Sequence, residues 1–139
     1  MRVLDVDGAV LGRISSELAK ELLKGEKITV VNADKAIITG RIEDIYRKYK
    51  QRLDRSDKAN PKKGPHFPRT PDRLFKRAVR GMINYRTQRG KNALENLTVF
   101  MGIPNEYEGK QEKHTIRPPA CSYVTLLELS EELGWRKRK

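Results

Sequence analysis

The chain has 139 residues, and its 30 Lys and Arg against 18 Asp and Glu give a net charge of +12. This length predicts one domain over residues 1–139, and no run approaches the roughly 18 apolar residues that a membrane span requires. One cysteine excludes an internal disulfide and favours a reducing, cytoplasmic compartment, while the charge points to a polyanion as a permanently bound partner.

The first third of the chain alternates strand and helix signals. Residues 3–6 form an apolar strand candidate that ends at the turn signal Asp7-Gly8, and apolar residues then recur at helical spacing from Leu11 to Leu22. The β-branched runs at 28–31 and 36–39 predict two further strands, each covered on both faces. Strand, helix, strand in this order predicts a right-handed crossover and a parallel sheet.

Residues 41–91 carry the whole charge excess, with 17 basic and five acidic residues, whereas residues 1–40 and 92–139 each have a net charge of zero. The sequence therefore predicts a binding region at 41–91 between two scaffold segments. An apolar stripe from Ile42 to Leu53 predicts a first helix in this region. Residues 54–69 are rich in Pro and Lys, and we expect a basic loop that stays mobile until a partner orders it.

A second helix in the basic region begins at Thr70 and Pro71, which suit the N-cap and the first helical position. Its predicted apolar face comprises Leu74, Phe75, Ala78, Val79, Met82 and Ile83, and its polar face comprises Arg73, Lys76, Arg77, Arg80 and Asn84. Asp72 is the only acidic neighbour, so this polar face is strongly positive. Its charge favours contact with phosphate over simple solvation. Gly81 indicates close approach of another protein element or of RNA, and both interpretations stay open.

The rest of the chain gives weaker signals. We predict a polar turn at 86–91, a helical stretch through Ala93 to Leu97, and a buried strand at 98–101. From about residue 103 to residue 139, Pro and Gly interrupt a polar sequence, which predicts an extended C-terminal arm with a short closing helix within 122–133. Val124, Leu127 and Leu126 are the expected apolar face of that helix, and the chain ends in a basic tail at 136–139.

No catalytic or metal-binding pattern emerges. His66, His114 and Cys121 lack metal-ligand spacing, and neither a P-loop nor a GxGxxG motif is present, so we expect no metal, cofactor or small-molecule substrate. Asp5, Asp7 and Asp34 could form the metal cluster of a nuclease, but we favour roles in capping turns and balancing basic residues. His66 could anchor its loop or contact RNA, and its basic surroundings favour RNA.

Several short motifs resemble the universal large-subunit ribosomal protein family numbered thirteen, in its archaeal and eukaryotic branch. They are DVDG at 5–8, LGR at 11–13, VNADK at 31–35, ITG at 38–40, GPHF at 64–67, RAVRGM at 77–82, RGK at 89–91, and VF followed by GIP between 99 and 104. The resemblance covers about residues 1–110. It implies a three-layer α/β/α domain around a four-stranded, largely parallel sheet, with basic loops and a helix bound to large-subunit ribosomal RNA. The absence of a long C-terminal extension points to the archaeal type.

We therefore predict a non-enzymatic constituent of the large ribosomal subunit in the cytoplasm, with ribosomal RNA and neighbouring ribosomal proteins as partners and no membrane contact. RNA shape should supply specificity because aromatic residues are few. The alternatives are a metal-dependent nuclease and a DNA-coating architectural protein. The predicted RNA-binding residues are Arg47, Lys48, Lys50, Arg52, Lys58, Lys62, Lys63, His66, Arg69, Arg73, Lys76, Arg77, Arg80, Arg86, Arg89 and Lys91.

Overall fold

A computed structural model describes residues 2–114 and 120–136. The strands are β1 (Arg2–Asp5), β2 (Ile28–Val31), β3 (Ile37–Thr39), β4 (Leu97–Val99), β5 (Glu112–Lys113) and β6 (Tyr123–Thr125). The α-helices are α1 (Leu11–Leu23), α2 (Ile42–Asp54), α3 (Pro71–Met82), α4 (Gln88–Glu95) and α5 (Leu126–Glu132). Within the described residues, no helix has the length and apolar character needed to cross a membrane.

The main sheet has four parallel strands in the order β4-β2-β1-β5. Strand β2 lies inside this sheet and all four of its residues are buried, as a parallel strand covered on both faces requires. Helices flank the sheet, which confirms the predicted α/β class and its three-layer α/β/α arrangement. The strand, helix, strand order of β1, α1 and β2 also produces the predicted parallel pairing.

Strand β3 exists as predicted, but the expectation that it is covered on both faces is wrong. It pairs antiparallel with β6 in a separate two-stranded sheet, and only Ile37 of its three residues is buried. The connection from β2, residues 32–36, is much shorter than the dozen or so residues that a parallel crossover needs. The chain therefore leaves the main sheet after β2.

Two described parts of the predicted C-terminal arm pack on the body of the protein and are not extended away from it. Strand β5 completes the main sheet by pairing with β1, with Leu4 opposite Glu112. Helix α5 follows its N-cap residue Thr125, which forms a capping box with Glu128, and the helix buries Leu126 and Leu129 rather than Leu127. The basic tail, apart from Arg136, lies outside the described residues.

Two further boundaries differ from the sequence prediction. The polar turn is shorter than expected because α4 already begins at Gln88, where the Thr87 hydroxyl accepts a hydrogen bond from the Gly90 amide at 3.2 Å. The strand predicted at 98–101 is β4, which lies at Leu97–Val99, and Leu97 is its only buried residue. The expected burial of 98–101 was therefore wrong.

The hydrophobic core is centred on the contact between α1 and α3. Phe75 and Val79 of α3 are fully buried, and Ile14 and Leu18 of α1 are nearly so. Most of the predicted apolar face of α3 is thus confirmed, but Met82 is 45% exposed, as is Ile42 of α2. Ile42 is the first residue of α2 and Met82 is the last residue of α3.

Candidate nucleic-acid interface

The sixteen predicted RNA-binding residues fall on four consecutive parts of the structure. Helix α2 carries Arg47, Lys48, Lys50 and Arg52; the irregular segment 55–70 carries Lys58, Lys62, Lys63, His66 and Arg69; α3 carries Arg73, Lys76, Arg77 and Arg80; and Arg86, Arg89 and Lys91 lie before or within α4. Fourteen of the sixteen are exposed, whereas Arg52 and Arg77 are half-buried.

Helix α3 gathers four cations on one face. Arg73, Lys76, Arg77 and Arg80 follow the spacing that places side chains one above another on a helix, and the opposite face is anchored by buried Phe75. Within residues 2–114 and 120–136, no carboxylate lies within ion-pair distance of these four side chains. Their charge is therefore available to an external anion.

The loop folds back beside this face, and the two border an open cavity of about 480 Å³. The cavity is lined by His66, Phe67 and Pro68 from the loop and by the four cations of α3. None of these described lining residues is acidic. The concave surface thus combines one aromatic ring with a dense positive potential.

Arg77 lines the cavity and contacts the loop. Its guanidinium carbon is 4.2 Å from the centroid of the Phe67 ring, and Nη1 donates a hydrogen bond to the His66 carbonyl oxygen at 3.4 Å. Partial burial, reinforced by the nearby charges of Arg80 and Arg52, lowers the pKa of Arg77 below its ordinary value. The group remains a cation, since an arginine is not deprotonated in proteins at neutral pH.

Aromatic partners are the feature that sequence reasoning missed. Besides Arg77, the guanidinium group of Arg52 lies over Tyr49 at 5.1 Å, and that of Arg80 lies over Tyr85 at 5.1 Å. The contact of Tyr49 with Arg52 was predictable, because residues three apart on a helix are neighbours. The contact of Phe67 with Arg77 was not, because it depends on how the loop folds. Arg41 and Arg55 are also exposed basic residues of the region that the prediction omitted.

Several predicted residues also have partners inside the protein. The Lys76 ammonium donates to the Leu97 carbonyl oxygen at 3.0 Å, and Arg89 donates to the Leu23 carbonyl oxygen at the C-terminal end of α1. Arg47 forms an ion pair with Asp44 at 3.6 Å. A cation near a helix C-terminus is favourable for stability, so Arg89 has a structural role independent of RNA.

The loop is anchored at its C-terminal end. Phe67 and Pro68 line a narrow crevice together with Leu53, Leu74 and Leu133, and this crevice is too small for more than one water molecule. Residues 55–66 of the loop, by contrast, are exposed, with Gly64 the only half-buried residue among them. Residues 67–68 therefore give the C-terminal end of the loop an apolar anchor.

Two glycines that look alike in sequence differ in their surroundings. A Cβ atom on Gly81 would have no neighbour within 4 Å, so the interpretation that another protein element approaches closely there is wrong among the described residues. Close approach of RNA stays a proposal at that position. A Cβ on Gly90 would instead overlap the backbone carbonyl of Asn84, a contact that no sequence pattern predicts.

The three acidic residues considered for a nuclease centre are engaged in backbone turns. The buried Asp5 carboxylate accepts hydrogen bonds from Asn32 Nδ2 at 2.8 Å and from the Asp7 amide at 3.1 Å. Asp34 accepts from the Gly102 amide, and Asp7 pairs with Lys35. The described part of the chain contains no group of three His, Cys, Asp or Glu residues placed to hold a metal ion. Their positions support the turn-capping interpretation.

Comparison with known proteins identifies the family. Residues 1–106 match the family model described as Ribosomal protein L13. The chain belongs to this family. This result confirms the resemblance seen in the motifs over residues 1–110.

Archaeal relatives in the L13 family extend the match over almost the whole chain. The large ribosomal subunit protein uL13 of Archaeoglobus fulgidus is 46% identical over 140 residues, covering 96% of this chain and 88% of the relative. The protein of the same name from Methanopyrus kandleri is 45% identical, covering 96% and 87%. That from Methanocaldococcus jannaschii is 39% identical, covering 96% and 98%. The prediction of an archaeal-type member is confirmed.

Proposed function

We propose that this chain is a structural constituent of the large ribosomal subunit, where it binds and stabilises folded ribosomal RNA. The names of its relatives support this role, and the observation that carries the mechanism is the cationic face of α3. Four positive side chains without an acidic partner in the described structure need a counter-charge, which a phosphate backbone supplies. The surface formed by α2, residues 55–70 and α3 is the proposed contact.

The proposed mechanism is electrostatic and geometric. Lys and Arg neutralise phosphates where RNA helices lie close together and release their counterions, while the packed α/β body fixes which RNA segments meet. We propose that the chain works as one domain and without catalysis, cofactor or metal. Neighbouring ribosomal proteins and ribosomal RNA would be its partners. The internal hydrogen bonds of Asp5 and Asp34 support this role over a nuclease.

Co-sedimentation tests the proposed function directly. In a sucrose gradient of a cell lysate, the native protein should travel with large ribosomal subunits and not with small ones. Ribonuclease treatment should release it, because RNA is the proposed ligand, whereas deoxyribonuclease should leave it in place. Release by deoxyribonuclease alone would favour the DNA-coating alternative instead.

Limited proteolysis tests the binding role of the loop. We expect the first cleavages of the free protein within residues 55–64, which are exposed and lack apolar anchors, and not at 67–69. Bound RNA should slow cleavage there by about tenfold or more, because ordering removes the extended conformations that a protease needs. Cleavage sites on the exposed face of α1 serve as the control. Equal cleavage of 55–64 with and without RNA would exclude the loop from the interface.

A further inference from the structure

We propose that the cavity between residues 66–68 and α3 receives a single unpaired RNA nucleotide, whose base stacks against the Phe67 and Arg77 pair. This inference rests on the proposed RNA-binding function and names the RNA feature that the site recognises. It differs from the sequence expectation that RNA shape alone supplies specificity.

The surface between the loop and α3 is concave. A ridge of duplex phosphates needs only an exposed basic face, such as the one that α3 alone would present. Here the loop folds over that face and leaves a concave site of about 480 Å³. This volume is within the range of sites that enclose small molecular groups. The geometry therefore fits a group that projects from the RNA.

Two planar groups, the Phe67 ring and the Arg77 guanidinium, form part of the cavity wall. The Phe67 ring covers one face of the Arg77 guanidinium at 4.2 Å, and both groups line the cavity. RNA bases that leave a helix stack on aromatic rings and on arginine planes. Arg77 is also held by the His66 carbonyl, so little side-chain freedom remains to be lost when a base adds to the stack.

Positively charged side chains lie around the Phe67 and Arg77 pair. Arg73 and Arg80 lie one helical turn before and after Arg77, and both are exposed. They can therefore contact the phosphates on either side of an inserted base. Lys76 is drawn toward the Leu97 carbonyl and adds positive potential at the cavity wall. No acidic group among the described lining residues opposes a nucleotide.

Three RNA hairpins test the proposal with the full-length chain. One has a fully paired stem, the second has one unpaired adenosine in the middle of the same stem, and the third has an abasic nucleotide at that position. In competition binding at constant salt, we expect the adenosine hairpin to bind about tenfold more tightly than both others, as expected for one stacked base. The abasic hairpin retains the phosphates and lacks only the base.

Two variants connect this preference to the cavity. Phe67→Leu keeps an apolar anchor for the loop, and Arg77→Lys keeps the charge but removes the plane. Each should reduce the preference for the unpaired adenosine over the paired hairpin to less than about threefold, and this ratio of two affinities is the readout. The matched control is Tyr123→Leu on β6, since Tyr123 is a 49% exposed aromatic residue that does not line the cavity.

Equal binding of the adenosine and abasic hairpins would overturn the nucleotide proposal and leave the proposed function intact. The same holds if Tyr123→Leu reduces the preference as much as both cavity variants do. Failure of the wild-type chain to bind these hairpins and large-subunit ribosomal RNA would overturn the proposed function as well. The two hypotheses therefore fail in different ways.

Discussion

Replacing Arg73, Arg77 and Arg80 together with Gln should make the salt dependence of ribosomal RNA binding much shallower. Each arginine is proposed to neutralise about one phosphate, so the slope of log affinity against log salt should decrease by roughly 2 to 3 units, at about 0.7 to 0.9 per phosphate. Gln retains good helix propensity, and Phe75 and Val79 keep α3 packed, so the fold should survive. Filter binding over a salt series measures the slope, and circular dichroism checks the fold.

The matched control removes the same charge from another surface. Lys20, Lys24 and Lys27 are exposed and lie at the end of α1 or just after it, in the third of the chain with no net charge. Changing all three to Gln should alter the slope by less than about one unit. If this control matched or exceeded the α3 variant, the RNA interface would lie elsewhere on the protein.

Replacing Gly90 with Ala should lower the free energy of unfolding by about 3 kcal/mol or more. The added Cβ would lie 2.6 Å from the Asn84 carbonyl carbon and 3.1 Å from the Tyr85 Cα. Both are backbone atoms, so relief requires moving the chain between α3 and α4 and not merely rotating a side chain. The displacement would also disturb the cap that Thr87 forms with the Gly90 amide. Urea unfolding followed by circular dichroism measures the change.

Gly81→Ala is the matched control, because the Cβ at that position meets nothing within 4 Å. Inside an exposed helix, Ala should stabilise the free protein by about 0.5 to 1 kcal/mol. A loss of stability at Gly81 equal to that at Gly90 would show that the contact with Asn84 is not the cause of the loss at Gly90. If Gly81→Ala also weakens RNA binding while stabilising the protein, the proposed close approach of RNA is supported.

Local periodicity predicted the elements that form the centre of the fold. Helix α3 was predictable because Pro71 suits the first helical position and apolar residues recur down to Val79. The N-cap was only half right, since Thr70 occupies the position but its side chain makes no capping hydrogen bond. Strand β5 was not predictable, because a two-residue edge strand of Glu112 and Lys113 carries no hydrophobic alternation.

The sequence by itself determined where the charge lies and which family the chain resembles. Composition summed over residues 41–91 needs no knowledge of packing, and the family motifs are local strings of residues. For the same reason the α/β class followed from the order of strand and helix signals.

Only the tertiary structure decided how that charge is arranged. The contact of Phe67 with Arg77 joins a loop to a helix, and the bond from Arg89 to the Leu23 carbonyl joins residues far apart in the chain. Neither contact has a periodic signal, because each depends on where the backbone of one segment is placed by the packing of another. Sequence patterns also could not distinguish Gly81 from Gly90. The two differ only in how close an added Cβ atom would lie to neighbouring backbone atoms, and packing sets that distance.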